Sequence, residues 1–435
     1  MATKINDIDN GNHESKNWYR LDNAAKLYPS IKSRRWNALF RVSVTLKEKI
    51  EPDYLQKALE ITLPRFPNFR FRIRRGLFWY YFEERFNIPK IENDVRNPCI
   101  CIDLKDRNNF LFRLRWYEKR IALEVFHAIT DGTGAMAFLK TLTSEYLKLK
   151  GVSIPYTNGI LDCSEKASKE ELEDSYKHYC KMKVFRARKD NRAYNLHGTV
   201  EDDKVVNITT GTLPLSIVLE KAKKYKVSLT EYITAVYIYA LNNVQLQFSL
   251  NKKLFPVKIA IPVNMRNYYP SKTLRNFILF INPGIDPNYG EYTFEEILNQ
   301  VHHFMRYELN EKSLNAQMSK NLSSEKNPLI RIFPLFLKNF AVSQIYNHVG
   351  ESRYTSTLSN LGLITIPDEM KNHVERFDFI LGRSLQNSIS CAICTFGDKL
   401  SINFSRRIRE SYVEKNFFTF LVKNGIPVFI ESNQK

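Results

Sequence analysis

The chain has 435 residues, 43% hydrophobic and 26% charged, which excludes a wholly disordered chain and leads us to expect two globular domains. Its formal net charge is +19, from 65 Lys and Arg against 46 Asp and Glu. That surplus suits nucleic acid, anionic lipid, a phosphate-bearing ligand, or simply a basic surface. The basic residues are spread over Arg34-Arg35, Arg65 to Arg75, Arg186 to Arg192 and Arg406 to Arg409, so no nucleic-acid-binding arm is expected.

Residues 1–17 are polar and patternless and read as a disordered tail, without the basic start and apolar stretch of a secretory signal. The longest apolar runs, such as 232–241, are too short and polar to span a bilayer. A cytoplasmic protein with six reduced cysteines and no transmembrane segment is the expectation.

A helix is predicted over 46–64, with Tyr54, Leu55, Ala58, Leu59 and Thr62 at helical spacing and Pro64 as its stop. The alternation in 69–74 predicts a strand with one apolar and one basic face. Residues 110–117 and 120–126 read as a hairpin turning at Glu118-Lys119. The second strand runs into His127, and a helix follows from Gly132, with Phe138, Leu139, Leu142, Tyr146 and Leu149 on one stripe and Gly151 closing it.

Residues 164–203 are rich in charge and read as a charged helix and connector. The second half opens with a strand at 205–213, followed by helices at 215–225 and 230–241, the latter capped by Ser228 or Thr230. A strand at 254–263 comes next, then helices at 294–308 and 328–348 and strands at 354–358, 389–396 and 400–404. The organisation is therefore a tail (1–17), a first domain (18–163), a connector (164–203) and a second domain (204–435), both domains being mixed α/β.

Chemistry concentrates at His127-Ala128-Ile129-Thr130-Asp131-Gly132. Histidine suits general-base work because its ordinary pKa lies near neutrality. A strand end opening on a helix start holds such a group rigidly beside open space. Asp131 would pin the turn, and Gly132 would let the chain bend tightly. The competing reading is a structural histidine at a strand end. Thr355, Thr357 and Ser359 share one strand face leading to Asn360 and a Gly turn. They form either a row of hydroxyl donors for an oxyanion or acyl donor, or an ordinary polar edge.

The 127–132 segment resembles the HXXXDG signature of the superfamily of chloramphenicol acetyltransferase, condensation domains and BAHD acyltransferases, and the chain as a whole resembles the alcohol acetyltransferase branch. The supporting segments, in order, are Arg65-Phe66-Pro67-Asn68-Phe69, Arg74-Arg75-Gly76, Ile261-Pro262-Val263-Asn264-Met265-Arg266 and Thr357-Leu358-Ser359-Asn360-Leu361-Gly362. The likeness runs from Trp18 to Glu431. It implies two chloramphenicol-acetyltransferase-like α/β sandwich domains facing a central tunnel, with His127 at the middle. It also implies acyl-coenzyme A as co-substrate, no permanently bound cofactor, and direct transfer to an alcohol or amine, most simply an O-acetyl transfer. Asp131 and Gly132 would be structural, Arg266 the partner of Asp131, and Thr357, Ser359 and Asn360 near the oxyanion or donor. Arg74 and Arg75 are candidates for the coenzyme phosphates on charge alone.

Three departures stand out. Phe126 replaces the first His of condensation domains, Asp378-Phe379-Ile380-Leu381-Gly382 only echoes the plant DFGWG motif, and Arg275 stands where the family has Gly before Asn276. Two alternatives stay open: an acyl carrier protein as donor in lipid or natural-product assembly, and a catalytically inactive binding module. Gly132-Thr133-Gly134-Ala135-Met136-Ala137 lacks the context of a dinucleotide fingerprint. No metal is expected, because Cys391 and Cys394 would face opposite sides of a strand, and neither Cys99-Ile100-Cys101 nor His302-His303 has partners at ligand spacing.

Overall fold

A computed structural model of the chain describes residues 18–31, 38–103, 110–180, 191–248, 253–326, 332–346 and 350–434. The predicted tail therefore lies outside the described residues. Three sheets form. A five-stranded sheet has the order β13 (Val374–Leu381), β2 (Leu39–Leu46), β7 (Arg120–Phe126), β6 (Phe112–Tyr117), β5 (Glu92–Asn93). An eight-stranded sheet runs β10 (Ile278–Ile281), β9 (Val257–Asn264), β12 (Ser356–Leu363), β14 (Ile389–Phe396), β15 (Lys399–Arg406), β8 (Asn207–Pro214), β16 (Phe429–Ser432), with β11 (Gly284–Ile285) on β9. The third is a small sheet of β1 (Trp18–Arg20), β4 (Tyr80–Glu84) and β3 (Phe71–Arg75).

Each large sheet buries one face under helices, giving two apolar cores. In the first, the helices Pro52–Thr62 and Gly132–Leu149 pack on each other. The earlier helix starts at Pro52, not at 46. Leu39–Leu46 is a strand buried almost throughout, and Pro52 has no N–H to lose at a first turn. In the second, the buried helix Leu229–Phe248 is entered by Ser228 and Glu231, each side chain accepting the other's backbone N–H. The helix Phe294–Glu308 begins with a full capping box on Thr293 and Glu296.

Strand β14 joins the cores. Cys391 and Ile393 point into the second and Ala392 and Cys394 into the first, as the two-residue period requires. The Cys pair is thereby split between opposite faces. The chain halves are also not strictly sequential, because β13, from the second half, forms the edge of the first sheet beside β2. In the 164–203 stretch only a 3-10 turn, Glu170–Leu172, and one short helix, Ser175–Tyr179, appear among the described residues. No helix among the described residues is long and apolar enough to cross a membrane.

Candidate active site

The hairpin β6–β7 delivers His127. Its backbone N–H donates to Ala38 O at 2.8 Å, and Asp131 then caps the helix Gly132–Leu149 through Gly134 N–H. The imidazole Nδ1 lies 2.9 Å from Asn276 Oδ1. Asn276 Nδ2 faces two acceptors, Asp22 Oδ2 and Ala128 O, each at 3.4 Å, so the amide oxygen must face the ring. That arrangement places the proton on Nδ1 and the lone pair on Nε2. Among the described residues Nε2 has no hydrogen-bond partner, while His127 keeps some accessible surface.

Tyr28 stacks on the ring at 5.2 Å and Phe40 meets it edge-on at 4.9 Å. Burial pushes the His127 pKa below the ordinary value, against the pull of Asp131, its own backbone and Asn276. The imidazole is therefore neutral at pH 7, the form a base needs.

Asp131 is sealed, at 1% exposure. Its Oδ2 accepts from Arg266 Nη1 at 2.8 Å and from Phe277 N–H at 3.0 Å, and its Oδ1 from Gly134 N–H at 3.2 Å. Arg266 also donates to Asn264 Oδ1, Thr273 O and Arg275 O, at 3.1, 2.9 and 2.6 Å. The guanidinium thus clamps the loop that carries Asn276, and Thr130 Oγ1 adds a 2.6 Å bond to Leu274 O. Close approach to a backbone carbonyl explains Gly134. A Cβ on Gly134 would stand 2.3 Å from Leu274 O, and one on Gly132 would stand 2.5 Å from Leu361 Cδ2. Gly132 does not adopt a left-handed backbone, so it does not make the expected tight bend, and the only close neighbour of a Cβ there is the end of a flexible leucine.

Arg275, the departure from the family's Gly, turns inward. It donates to Arg20 O at 2.8 Å and Leu172 O at 3.2 Å, and pairs with Asp22 Oδ2 at 3.4 Å. Asp22 is fully buried, and burial holds its pKa up at about 6 despite Arg275. One carboxylate therefore answers the extra guanidinium and also receives the Asn276 amide.

The β12 residues divide. Asn360 Nδ2 donates to Thr230 Oγ1 at 2.9 Å and its Oδ1 accepts from Gly362 N–H at 2.7 Å, so this side chain closes its own turn. Gly362 is left-handed, at φ 73°. The half-buried Thr357 hydroxyl lies where it favours ionisation of the Tyr354 phenol, and the half-buried Ser359 hydroxyl has no hydrogen-bond partner among the described residues. Tyr354 lines two cavities: one of about 440 Å³ with Glu351 and Arg407, and one of about 680 Å³ with Phe280, Lys320 and Arg353. Burial raises the Tyr354 pKa, as do Glu351 and the nearby Tyr28 phenol. A third cavity of about 700 Å³ shares Tyr194 with the first and is lined also by His197, Phe248 and Tyr412; none of the predicted site residues lines any of the three. Arg74 lies apart from His127 in the small sheet, where Glu83 accepts from both Arg74 and Arg72 at 2.6 Å. The basic face of that strand is thus partly neutralised, and Arg75 remains exposed.

Residues 177–421, more than half of the chain, match the model of the alcohol acetyltransferase family. The chain belongs to that family, and it is an acyltransferase. The matched residues include Arg266, Asn276 and β12 but not His127, which lies upstream. No curated protein sequence matches this one. Among solved structures, polyketide synthase associated protein 5 from Mycobacterium tuberculosis is 14% identical with a TM-score of 0.61, covering 92% of this chain and 96% of that one. A trichothecene 15-O-acetyltransferase from Fusarium sporotrichioides is 12% identical with a TM-score of 0.60, covering 95% of each. The condensation domain of the monacolin K polyketide synthase MokA is 11% identical with a TM-score of 0.59, covering 94% of this chain and 97% of that one. At such identities the likeness is one of fold, and the fold of this acyltransferase is the two-unit α/β arrangement of these proteins.

Tyr28, Phe40 and Asn276 surround His127, and Asp22 stands behind Asn276, without having been predicted to do so. Asn276 alone carried a signal, since it follows the residue where the family pattern breaks. The aromatic pair had none, because Tyr28 and Phe40 come from chain segments nearly a hundred residues upstream.

Proposed function

We propose that this acyltransferase moves an acyl group, most simply acetyl, from acyl-coenzyme A to the hydroxyl of a small or apolar alcohol, with His127 as general base. The observation that carries the reading is the imidazole itself: Nδ1–H is fixed on Asn276 Oδ1, and Nε2 is unpaired on a residue that retains accessible surface. Nε2 takes the hydroxyl proton as the alcohol oxygen attacks the thioester carbonyl carbon. The tetrahedral oxyanion then collapses, the C–S bond breaks, and the thiolate takes the proton back from His127. Ester and free thiol are the products, with no acyl-enzyme and no metal.

Orientation supplies much of the rate in such a reaction. The Asp131–Arg266 pair would serve it indirectly, by holding the Asn276 loop against the helix Gly132–Leu149. Ser359 is the β12 hydroxyl left free for the oxyanion or the pantetheine amides. Substrate would reach His127 by way of Tyr28, whose phenol influences Tyr354, the residue common to two cavities. The test is His127→Ala, with thiol release followed against a panel of alcohols. Unchanged turnover would remove the base, and release seen only with an acyl-carrier donor would replace coenzyme A.

A further inference from the structure

Outside the site, apolar surface concentrates at one place. The helix Leu335–Ile345 buries only Leu335, and Phe336 and Phe340 stand exposed, the latter at 67%. Ile332 and Phe333 precede them, also exposed. Beside this helix lies the tip of the β3–β4 hairpin, with Leu77 at 72% exposure and Trp79 partly exposed. The two are tied together. Leu335 N–H donates to Leu77 O at 2.9 Å, Lys338 Nζ donates to Phe78 O at 3.1 Å, and Asn339 Nδ2 donates to Tyr80 Oη at 2.8 Å. This is one patch built from two elements, not scattered side chains, and such a patch on a folded surface marks an interaction site.

Charge selects the partner. No Asp or Glu occurs between Phe69 and Phe82 or between Asn327 and Gly350, whereas the same stretches hold Arg72, Arg74, Arg75 and Lys338. Glu83 answers Arg72 and Arg74, leaving Arg75 exposed, while Lys338 Nζ sits 3.6 Å over the Trp79 ring. Phe and Leu with Trp and Lys at their edge, and no acid, suit the boundary between acyl chains and anionic headgroups. A second copy of this patch would set like charges face to face. The helix is also too short to span a bilayer, so it would lie on one.

We infer that the patch of the helix Leu335–Ile345 and the β3–β4 hairpin tip docks the enzyme peripherally on an anionic lipid surface. The same helix packs against Leu27–Ile31, whose Tyr28 stacks on His127. Docking would therefore place the helix over the imidazole next to the bilayer, from which an apolar alcohol could enter. That delivery role rests on the acyl-transfer reading, whereas docking does not.

The experiment is flotation of the full chain with vesicles of phosphatidylcholine and phosphatidylserine, and with phosphatidylcholine alone. Co-flotation with the anionic vesicles is expected, weakened by salt. The exposed double substitution Phe336→Ser with Phe340→Ser should lower partitioning about tenfold or more at unchanged melting temperature. His127→Ala should float like the parent, which keeps a failure of docking distinct from a failure of the proposed chemistry. The inference is overturned if the parent floats with neither vesicle or if the double variant floats equally well. A dimer by light scattering that the double variant abolishes would likewise overturn it in favour of self-association.

Discussion

Three residues separate His127 from Asp131, yet the two side chains are treated in opposite ways. Asp131 is sealed and fully hydrogen-bonded, with a guanidinium at 2.8 Å and two backbone N–H groups as its other donors. His127 has one neutral partner, an unpaired Nε2 and residual accessible surface. A buried carboxylate matched by a cation holds two chain segments in register. A ring with one nitrogen fixed and the other free can accept a proton without disturbing that register. The six-residue motif thus spans a fastening and a moving part, and they can be broken separately.

Breaking the moving part should have the largest effect on rate. His127→Ala is expected to lower kcat by about 10²–10⁴, the usual contribution of a positioned base, with little change in melting temperature. A variant that unfolds as well would erase the contrast. Breaking the fastening should act on stability first. Asp131→Ala leaves the partly buried Arg266 with carbonyl acceptors but no carboxylate, and a cost of about 3 kcal/mol, the low end for a broken buried pair, is expected in denaturant unfolding. The double variant with Arg266→Met should recover part of that loss. If it recovers nothing, the pair is not what holds the loop.

The fastening was readable from the sequence and the aromatic surroundings of the ring were not. Asp131 and Arg266 are named by two segments of a family pattern, which needs no knowledge of packing. Elements with a clean period are also legible: the helix Phe294–Glu308 and the strand Ile389–Phe396 keep their predicted ends. Leu39–Leu46 could have been found, since Phe40, Val42, Val44 and Leu46 alternate with Arg41, Ser43 and Thr45; what alternation does not say is that Arg41 and Ser43 are buried too, Arg41 against Asp94. Val374–Leu381 was read only as an echo of a motif, and nothing local says that it crosses to the first sheet. The helix Tyr412–Lys423 could have been found, since Val413, Phe417 and Leu421 recur every four residues on its buried side. Asp22 is legible only once Arg275 is seen to turn inward.

Asn276 lies between the two regions and sharpens their difference. Asn276→Ala removes the acceptor that fixes Nδ1–H, so a loss of roughly tenfold in kcat is expected from a ring no longer held in one tautomer. The pH profile separates this from a structural defect. Burial already sets the His127 pKa below its ordinary value, so the acidic limb of kcat/KM should fall below pH 6.5 in the parent. Asn276 favours the protonated ring, so its removal should move that limb to still lower pH. A variant with reduced kcat and an unmoved limb would show that Asn276 only supports the fold.

The smallest effect is expected at Thr357, because its hydroxyl acts on the Tyr354 phenol while that of Ser359 has no partner among the described residues. Removing a true oxyanion donor typically costs about 10²–10³ in kcat. Thr357→Val keeps the shape and deletes the hydroxyl, and kcat should stay within about a factor of ten of the parent, with about 1 kcal/mol lost in stability. Ser359→Ala, measured in parallel, is the informative companion on the same strand face. If Thr357→Val shows the larger loss in kcat, the donor on β12 is Thr357, two residues before Ser359, and not the hydroxyl that its resting contacts suggest.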